Sequence, residues 1–302
     1  MRIVSLLPSA TETVFALGEG KSLVGRSEEC DYPSQVRRLP VVMAARTLDQ
    51  GAPSAEIDSR VRSVRGKGES LYEIRQDVLA TLRPDVILTQ DLCEVCSVTP
   101  LEVQESCARS GVAPSICTLS PTSLDEVWAG VATIGRAIGA AARGKRLAQA
   151  LERRSARARR SRRPLPRVAV VEWLDPPILA GLWADDIVRR AGGHYLGPGC
   201  SERAERTTWE ALHALGPDLV MLSPCSFSVT RTVRELGRLP DPWASFDPTP
   251  ALGTWVADEA YFSRPGPRLA DGVDLVRSLL RGRTPSRAPM PVRRWTWPRA
   301  SS

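Results

Sequence analysis

The sequence predicts an α/β protein of two lobes, each built on a central parallel sheet, joined by a long interlobe helix. Three observations carry this. Short apolar runs alternate with helix-length amphipathic stretches from end to end, and 302 residues exceed what one hydrophobic core usually organises. One strand-and-turn pattern also occurs twice: "LRPDVILTQ" (82–90) and "LGPDLVMLS" (215–223) share Leu-x-Pro-Asp followed by an apolar run. The first strand, "RIVSLLP", is echoed by "RVAVVEWLDP" from Arg167.

The elements follow in order. A strand is expected at Ile3–Leu7, then a short helix opened by the capping-box pattern Ser9-Ala-Thr-Glu12 and closed at Gly18, then a strand at Ser22–Arg26. Leu71, Ile74, Val78 and Leu82 lie on one face of a helical pattern from Glu69 to Leu82. Helix ends before proline and strand starts after aspartate place a strand at Val86–Gln90, and another apolar run gives Ser115–Leu119. A second capping box, Ser123-Leu-Asp-Glu126, opens the interlobe helix, with Leu124, Val127, Val131, Ile134 and Ile138 at spacings of three and four. Gly130, Gly135, Gly139 and Gly144 predict a break after its first four or five turns. The second lobe holds strands at Val168–Trp173, Leu219–Ser223 and Thr254–Ala257. The expected boundaries are an N-terminal lobe at 1–122, the interlobe helix at 123–163, a C-terminal lobe at 164–283 and a basic, disordered tail at 284–302.

The charge balance narrows the function classes. Net charge is +7, but the 41 basic residues are interleaved with 34 acidic ones, and only Lys21, Lys67 and Lys145 are lysines. No nucleic-acid motif with interleaved aromatics accompanies them, so no nucleic-acid partner is expected. Seven cysteines spread along the chain fit a reducing compartment. The opening apolar run is too short for an export signal, and no stretch approaches the roughly 18–20 apolar residues of a membrane span. A monomeric cytoplasmic protein is therefore expected, or a periplasmic one if a signal peptide lies upstream.

Cys93 and Cys96 form a C-x-x-C pair in "LTQDLCEVC". Zinc would need two further ligands, and the only histidines are His194 and His213. A redox dithiol wants its first cysteine at a helix N-terminus, whereas this pair follows a strand and encloses Glu94, which raises a thiol pKa. Two small residues shaping a loop remain the simplest reading, with a cysteine-dependent metal or redox protein as the alternative of a different class. There is no G-x-S-x-G elbow and no phosphate-binding G-x-x-x-x-G-K-[ST] loop. Seven of the eight tryptophans lie at or beyond Trp173, and Trp173, Trp183, Phe227, Tyr261 and Phe262 fall at or after strand ends. Ligands of open α/β sheets bind at the carboxyl ends of strands, and large rings there suit a broad, partly apolar ligand.

The ordered blocks "IVSLLPSATETVFALG", "LVGRSEECDYP", "LRPDVILTQDLCEVCSV", "VVEWLDPPILAGLW", "SPCSF" and "AYFSRPGPRLADG" resemble the cobalamin-binding members of the iron-chelate and cobalamin solute-binding proteins of ABC importers, in a subgroup without a signal peptide. The resemblance covers most of residues 2–283 and implies a class III solute-binding fold and no catalysis. It implies a corrinoid, cobalamin or a relative, held between the lobes, with no cofactor of the protein's own and an ABC permease as a potential partner. The ligand-binding residues it implies are Pro8, Ser9, Tyr32, Gln90, Asp91 and Cys93 from one lobe. From the other come Trp173, Asp175, Trp183, Ser226, Phe227, Tyr261, Phe262 and Arg264. Haem or an iron–siderophore is the alternative ligand on the same scaffold. Glu28 and Leu182 stand where relatives carry histidine, so neither supplies an axial imidazole.

Overall fold

The computed structural model describes residues 1–46, 51–68, 70–92, 98–156, 164–239, 250–283, 289 and 291–296. The chain divides into two compact units, residues 1–52, 56–121 and 125–152 in unit 1, and residues 53–55, 122–124 and 153–302 in unit 2.

Unit 1 runs β1 (Ile3–Ser5), α1 (Pro8–Ala16), β2 (Leu23–Ser27), β3 (Val41–Ala45), α2 (Ser54–Gly66), β4 (Tyr72–Ile74), α3 (Gln76–Leu82), β5 (Val86–Gln90), α4 (Pro100–Arg109), β6 (Ser115–Leu119), α5 (Leu124–Ala137) and α6 (Ala141–Arg154). Its sheet has the order β4-β3-β2-β1-β5-β6, parallel except for the β3–β4 pair. Alternation along the strands builds two cores. Ile3, Val86 and Leu88 face α1 and α5 through Ala10, Val14, Ile134 and Ile138, while Val4 and Ile87 face α3 and α4 through Leu79, Leu82 and Val103. Helices on both faces are what a parallel sheet requires, because neither of its faces is polar.

Unit 2 runs β7 (Arg167–Leu174), β8 (Pro177–Leu179), α7 (Ala184–Ala191), β9 (His194–Tyr195), β10 (Glu205–Arg206), α8 (Trp209–Ala214), β11 (Leu219–Leu222), α9 (Val229–Leu236), β12 (Gly253–Ala257), α10 (Leu269–Leu279) and β13 (Val292–Trp295). The sheet order is β10-β8-β7-β11-β12-β13, with β9 also on β7. The three central strands are parallel, and β8, β10 and β13 pair antiparallel.

The sequence repeat is repeated in hydrogen bonds. In unit 1 the Asp85 carboxylate accepts from Arg2 N at 2.7 Å and Asp85 N donates to Arg2 O at 2.8 Å. In unit 2 Asp218 does the same with Arg167, at 2.7 and 2.8 Å. Each aspartate thus ties the start of its strand to the start of the neighbouring one, β5 to β1 and β11 to β7. The residue two places earlier turns left-handed in both copies, at φ 41 for Arg83 and φ 59 for Gly216. This is how the helix ends in time for the proline.

Four expectations change. The pattern at 69–82 is a short strand followed by a short helix, because Arg75 takes an extended conformation (ψ 97) between β4 and α3. Leu71, Ile74, Val78 and Leu82 fit that arrangement as well as one helical face. The stretch 123–163 breaks where its glycines predict, at Gly139 (φ 75) between α5 and α6, but it is not a separate interlobe segment. Residues 125–152 belong to unit 1, and 157–163 lie outside the described residues. α5 and α6 approach so closely that a Cβ on Gly135 would sit 2.8 Å from the Gly144 Cα. The tail at 284–302 was expected to lack regular structure, yet Val292–Trp295 pairs with β12, Trp295 opposite Thr254, and Trp295 packs on the unit 2 core. Burial of that ring outweighs the arginines around it, which stay exposed on the edge strand. Finally, the Ser9 capping box does not form: α1 starts two residues earlier than that cap implies, at Pro8, whose fixed φ suits the first helical position, and Leu7 is the cap.

Candidate functional site

In unit 1, β1, β2, β5 and β6 are parallel, so the segments that leave them share one edge of the sheet. Pro8, Ser9, Tyr32, Gln90 and Asp91 all lie on that edge. The strands bury polar residues as they reach it: Ser5, Ser27 and Thr89 are buried. Ser9 is buried too, and its hydroxyl has no hydrogen-bond partner among the described residues. Tyr32 is exposed, Gln90 half-buried and Asp91 exposed, with Asp91 N donating to Leu119 O at 3.0 Å. Cys93 and Cys96 lie outside the described residues. Glu28 is occupied with structure, its carboxylate accepting from Ala45 N and its own N donating to Met43 O at 2.9 Å.

In unit 2 the corresponding edge is formed where β7, β11 and β12 end. Trp173 is half-buried and meets the Phe227 ring edge-on, with centroids 5.2 Å apart and planes at 63°. Its indole N–H has no acceptor among the described residues, and neither has the Ser263 hydroxyl. A buried donor without a partner costs about 1–3 kcal/mol, so such groups accumulate where water or a ligand completes them. Asp175 is half-buried and Ser226 exposed. Arg231, the third residue of α9, lays its guanidinium 3.7 Å above the Phe227 ring.

The remaining rings are placed deeper than strand-end positions imply. Trp183, Phe227, Tyr261 and Phe262 are each under 5% exposed, and the Trp183 indole N–H donates to Phe262 O. Gly272 on α10 explains the depth of Tyr261, since a Cβ there would lie 2.1 Å from the Tyr261 carbonyl oxygen. Phe227 therefore backs Trp173, while Trp183, Tyr261 and Phe262 pack around one another, Phe262 taking the Trp183 bond and lying beside the Tyr261 ring. Leu182 lies just before α7 in a left-handed conformation (φ 57), its N–H donated to Glu202 O at 2.6 Å.

Arg264 is buried and its guanidinium is held by Glu259, with Nε 3.1 Å from Oε1. The other Glu259 oxygen accepts from Ser226 N at 2.5 Å. Burial pushes the Glu259 carboxyl above its ordinary range, although Arg264 and the Ser226 N–H pull the other way. Glu259 and Arg231 were not among the residues expected from sequence. The signal for Glu259 was its position, two residues past the end of β12, in a stretch read only for its rings.

Among the described residues the two edges offer rings, hydroxyls, backbone groups and the carboxylates of Asp91 and Asp175. Among the described residues no group of three or more His, Cys, Asp or Glu is placed to hold a metal ion. Burial raises the thiols of Cys107, Cys117 and Cys200, with Asp186 adding to the effect at Cys200. No helix among the described residues is long and apolar enough to cross a membrane.

No family profile and no curated protein matches the chain. Solved structures do. A periplasmic heme binding protein from Pseudomonas aeruginosa superposes with a TM-score of 0.70 at 21% identity, over 98% of this chain and 99% of that one. The periplasmic heme-binding protein RhuT from Roseiflexus sp. RS-1 gives 0.65 at 21%, over 93% and 98%. The periplasmic vitamin B12 binding protein BtuF of Vibrio cholerae gives 0.60 at 21%, over 93% and 96%. At these identities the likeness establishes the fold: the chain has the two-sheet α/β architecture of class III periplasmic binding proteins.

Proposed function

We propose that this chain is a non-catalytic binding protein for a metal-bearing macrocycle, with a corrinoid of the cobalamin type as the leading ligand. One observation carries the reading: Pro8, Ser9, Tyr32, Gln90 and Asp91 in unit 1, and Trp173, Asp175 and Ser226 in unit 2, lie at or follow the carboxyl ends of the parallel strands of their unit. Open α/β sheets bind ligands at that edge. In unit 2 the edge offers the half-buried Trp173 ring, backed by Phe227, together with donors at Trp173 Nε1 and Ser263 Oγ that lack protein acceptors among the described residues. A corrin presents apolar faces to such a ring and amide carbonyls to such donors. In unit 1 the contributing groups are Tyr32, Gln90 and Asp91, the first and last of them exposed.

Haem is the second reading, favoured by the heme-binding proteins among the structures of this fold. Haem also has a broad apolar face, but its hydrogen-bonding groups are two carboxylates in place of many amides, so the two readings differ in competition. Titration of the purified protein with cyanocobalamin, followed by calorimetry and by the visible bands of the corrinoid, is expected to give saturable one-to-one binding that haemin displaces poorly. Tight haemin binding that cyanocobalamin cannot displace would transfer the assignment to haem. Silence with both ligands would end the reading. An ABC permease as the docking partner belongs to the same proposal, supported by the fold alone.

A further inference from the structure

We infer that Glu259 is a positioning residue: it clamps the loop after β11 in one conformation, so that Ser226 and the Trp173–Phe227 pair are set before a ligand arrives. The inference rests on the binding reading above and adds to it a residue that does not itself touch the ligand. The loop 223–228 is tied to its surroundings at several points. Cys225 N donates to Glu172 O on β7 at 3.0 Å, Ser223 Oγ to Asp258 O after β12 at 3.2 Å, and Phe227 N to Pro224 O within the loop at 3.1 Å. At its apex Ser226 is left-handed (φ 62) and exposed, a conformation that an L-residue other than glycine or asparagine disfavours. The apex amide does not bond to its own loop. It donates to the Glu259 carboxylate at 2.5 Å, and that carboxylate is in turn fixed by Arg264. Both members of the ion pair are under 10% exposed, so the acceptor is desolvated and held in place by its two partners. A strained apex held by a buried carboxyl group from the adjacent loop is a preset surface, and presetting spares the ordering that binding otherwise requires.

The test measures three properties of the full chain in wild type, Glu259→Ala, Glu259→Gln and the double variant Glu259→Ala with Ser226→Gly. They are amide exchange at residues 224–228, affinity for cyanocobalamin and for haemin, and thermal midpoint. Glu259→Ala is expected to speed exchange of the Ser226 amide and weaken the bound macrocycle about tenfold, the scale of ordering a short loop. Glu259→Gln keeps an acceptor oxygen and falls between, which covers the case in which the alanine variant does not fold. Adding Ser226→Gly is expected to recover part of the affinity without recovering the thermal midpoint, because glycine accepts the left-handed apex but does not re-pair Arg264. A merely structural Glu259 predicts the opposite: affinity unchanged, or falling with the midpoint and insensitive to Ser226→Gly. Those results, or slow Ser226 exchange in Glu259→Ala, overturn the inference. If wild type binds neither macrocycle, the binding reading fails, and the exchange data alone decide whether Glu259 holds the loop.

Discussion

Replacing Phe227 with leucine separates the wall of the proposed site from its surface. The ring is 1% exposed, so it reaches a ligand only if the loop moves. Leucine retains most of the apolar burial but removes two ring-specific contacts. The edge-on pair with Trp173 at 5.2 Å has the geometry for which aromatic pairs are worth about 0.5–1.5 kcal/mol beyond burial. The Arg231 guanidinium at 3.7 Å adds about 0.5–1 kcal/mol for a partly exposed cation–π contact. Phe227→Leu is therefore expected to destabilise unit 2 by about 1–2.5 kcal/mol, the sum of those two contacts. Urea unfolding followed by tryptophan fluorescence measures it as a lower midpoint with an unchanged slope. A cycle with Trp173→Leu isolates the ring pair, whose coupling should account for half or more of the loss. A loss below about 0.5 kcal/mol, the size of an ordinary surface substitution, or zero coupling with Trp173, would show that the ring pair does not hold the wall together.

Other consequences are equally direct. Asp85→Ala and Asp218→Ala each remove a carboxylate from the backbone amide of the paired strand, and each should lower stability by about 1–2 kcal/mol in chemical unfolding; a neutral result in both would deny the repeat its structural meaning. Gly272→Ala drives a methyl into the Tyr261 carbonyl and is expected to cost about 1–3 kcal/mol, as overpacking does, with near-ultraviolet circular dichroism reporting the displaced rings. Cys200 is exposed, yet burial of its sulfur and the nearby Asp186 raise its thiol; iodoacetamide at pH 8 should label it more slowly than free cysteine, and faster in Asp186→Asn.

The sequence was most readable where local chemistry and long-range pairing agree. Val86–Gln90 and Ser115–Leu119 have the expected bounds, because a Pro-Asp start or a short apolar run leaves few alternatives. Asp85 and Asp218 carry the repeat in the sequence and do the same work in both units. The strands not expected, β3, β4, β8, β9, β10 and β13, are five residues or fewer, and three of them, β4, β10 and β13, sit beside a single antiparallel partner. A strand defined by its partner leaves little trace in its own residues. The same holds for the site. The strand-end positions of its candidate residues are legible, since strand ends and rings can be counted. The depth of Trp183, Tyr261 and Phe262 was not, because it depends on Gly272 and on a carbonyl seventy-nine residues from the indole it accepts from. The Glu259 clamp lay hidden for a similar reason: its partner is a backbone amide, which every residue but proline carries.

The most direct test of the central claim is equilibrium titration of the protein with cyanocobalamin, repeated with Trp173→Ala. Saturable one-to-one binding with a shift of the corrinoid's visible bands is expected, weakened by about tenfold or more when the half-buried ring is removed, since aromatic anchors in binding sites commonly contribute about 2 kcal/mol or more. Absence of binding by the wild type, or equal affinity with and without the Trp173 ring, would contradict the claim.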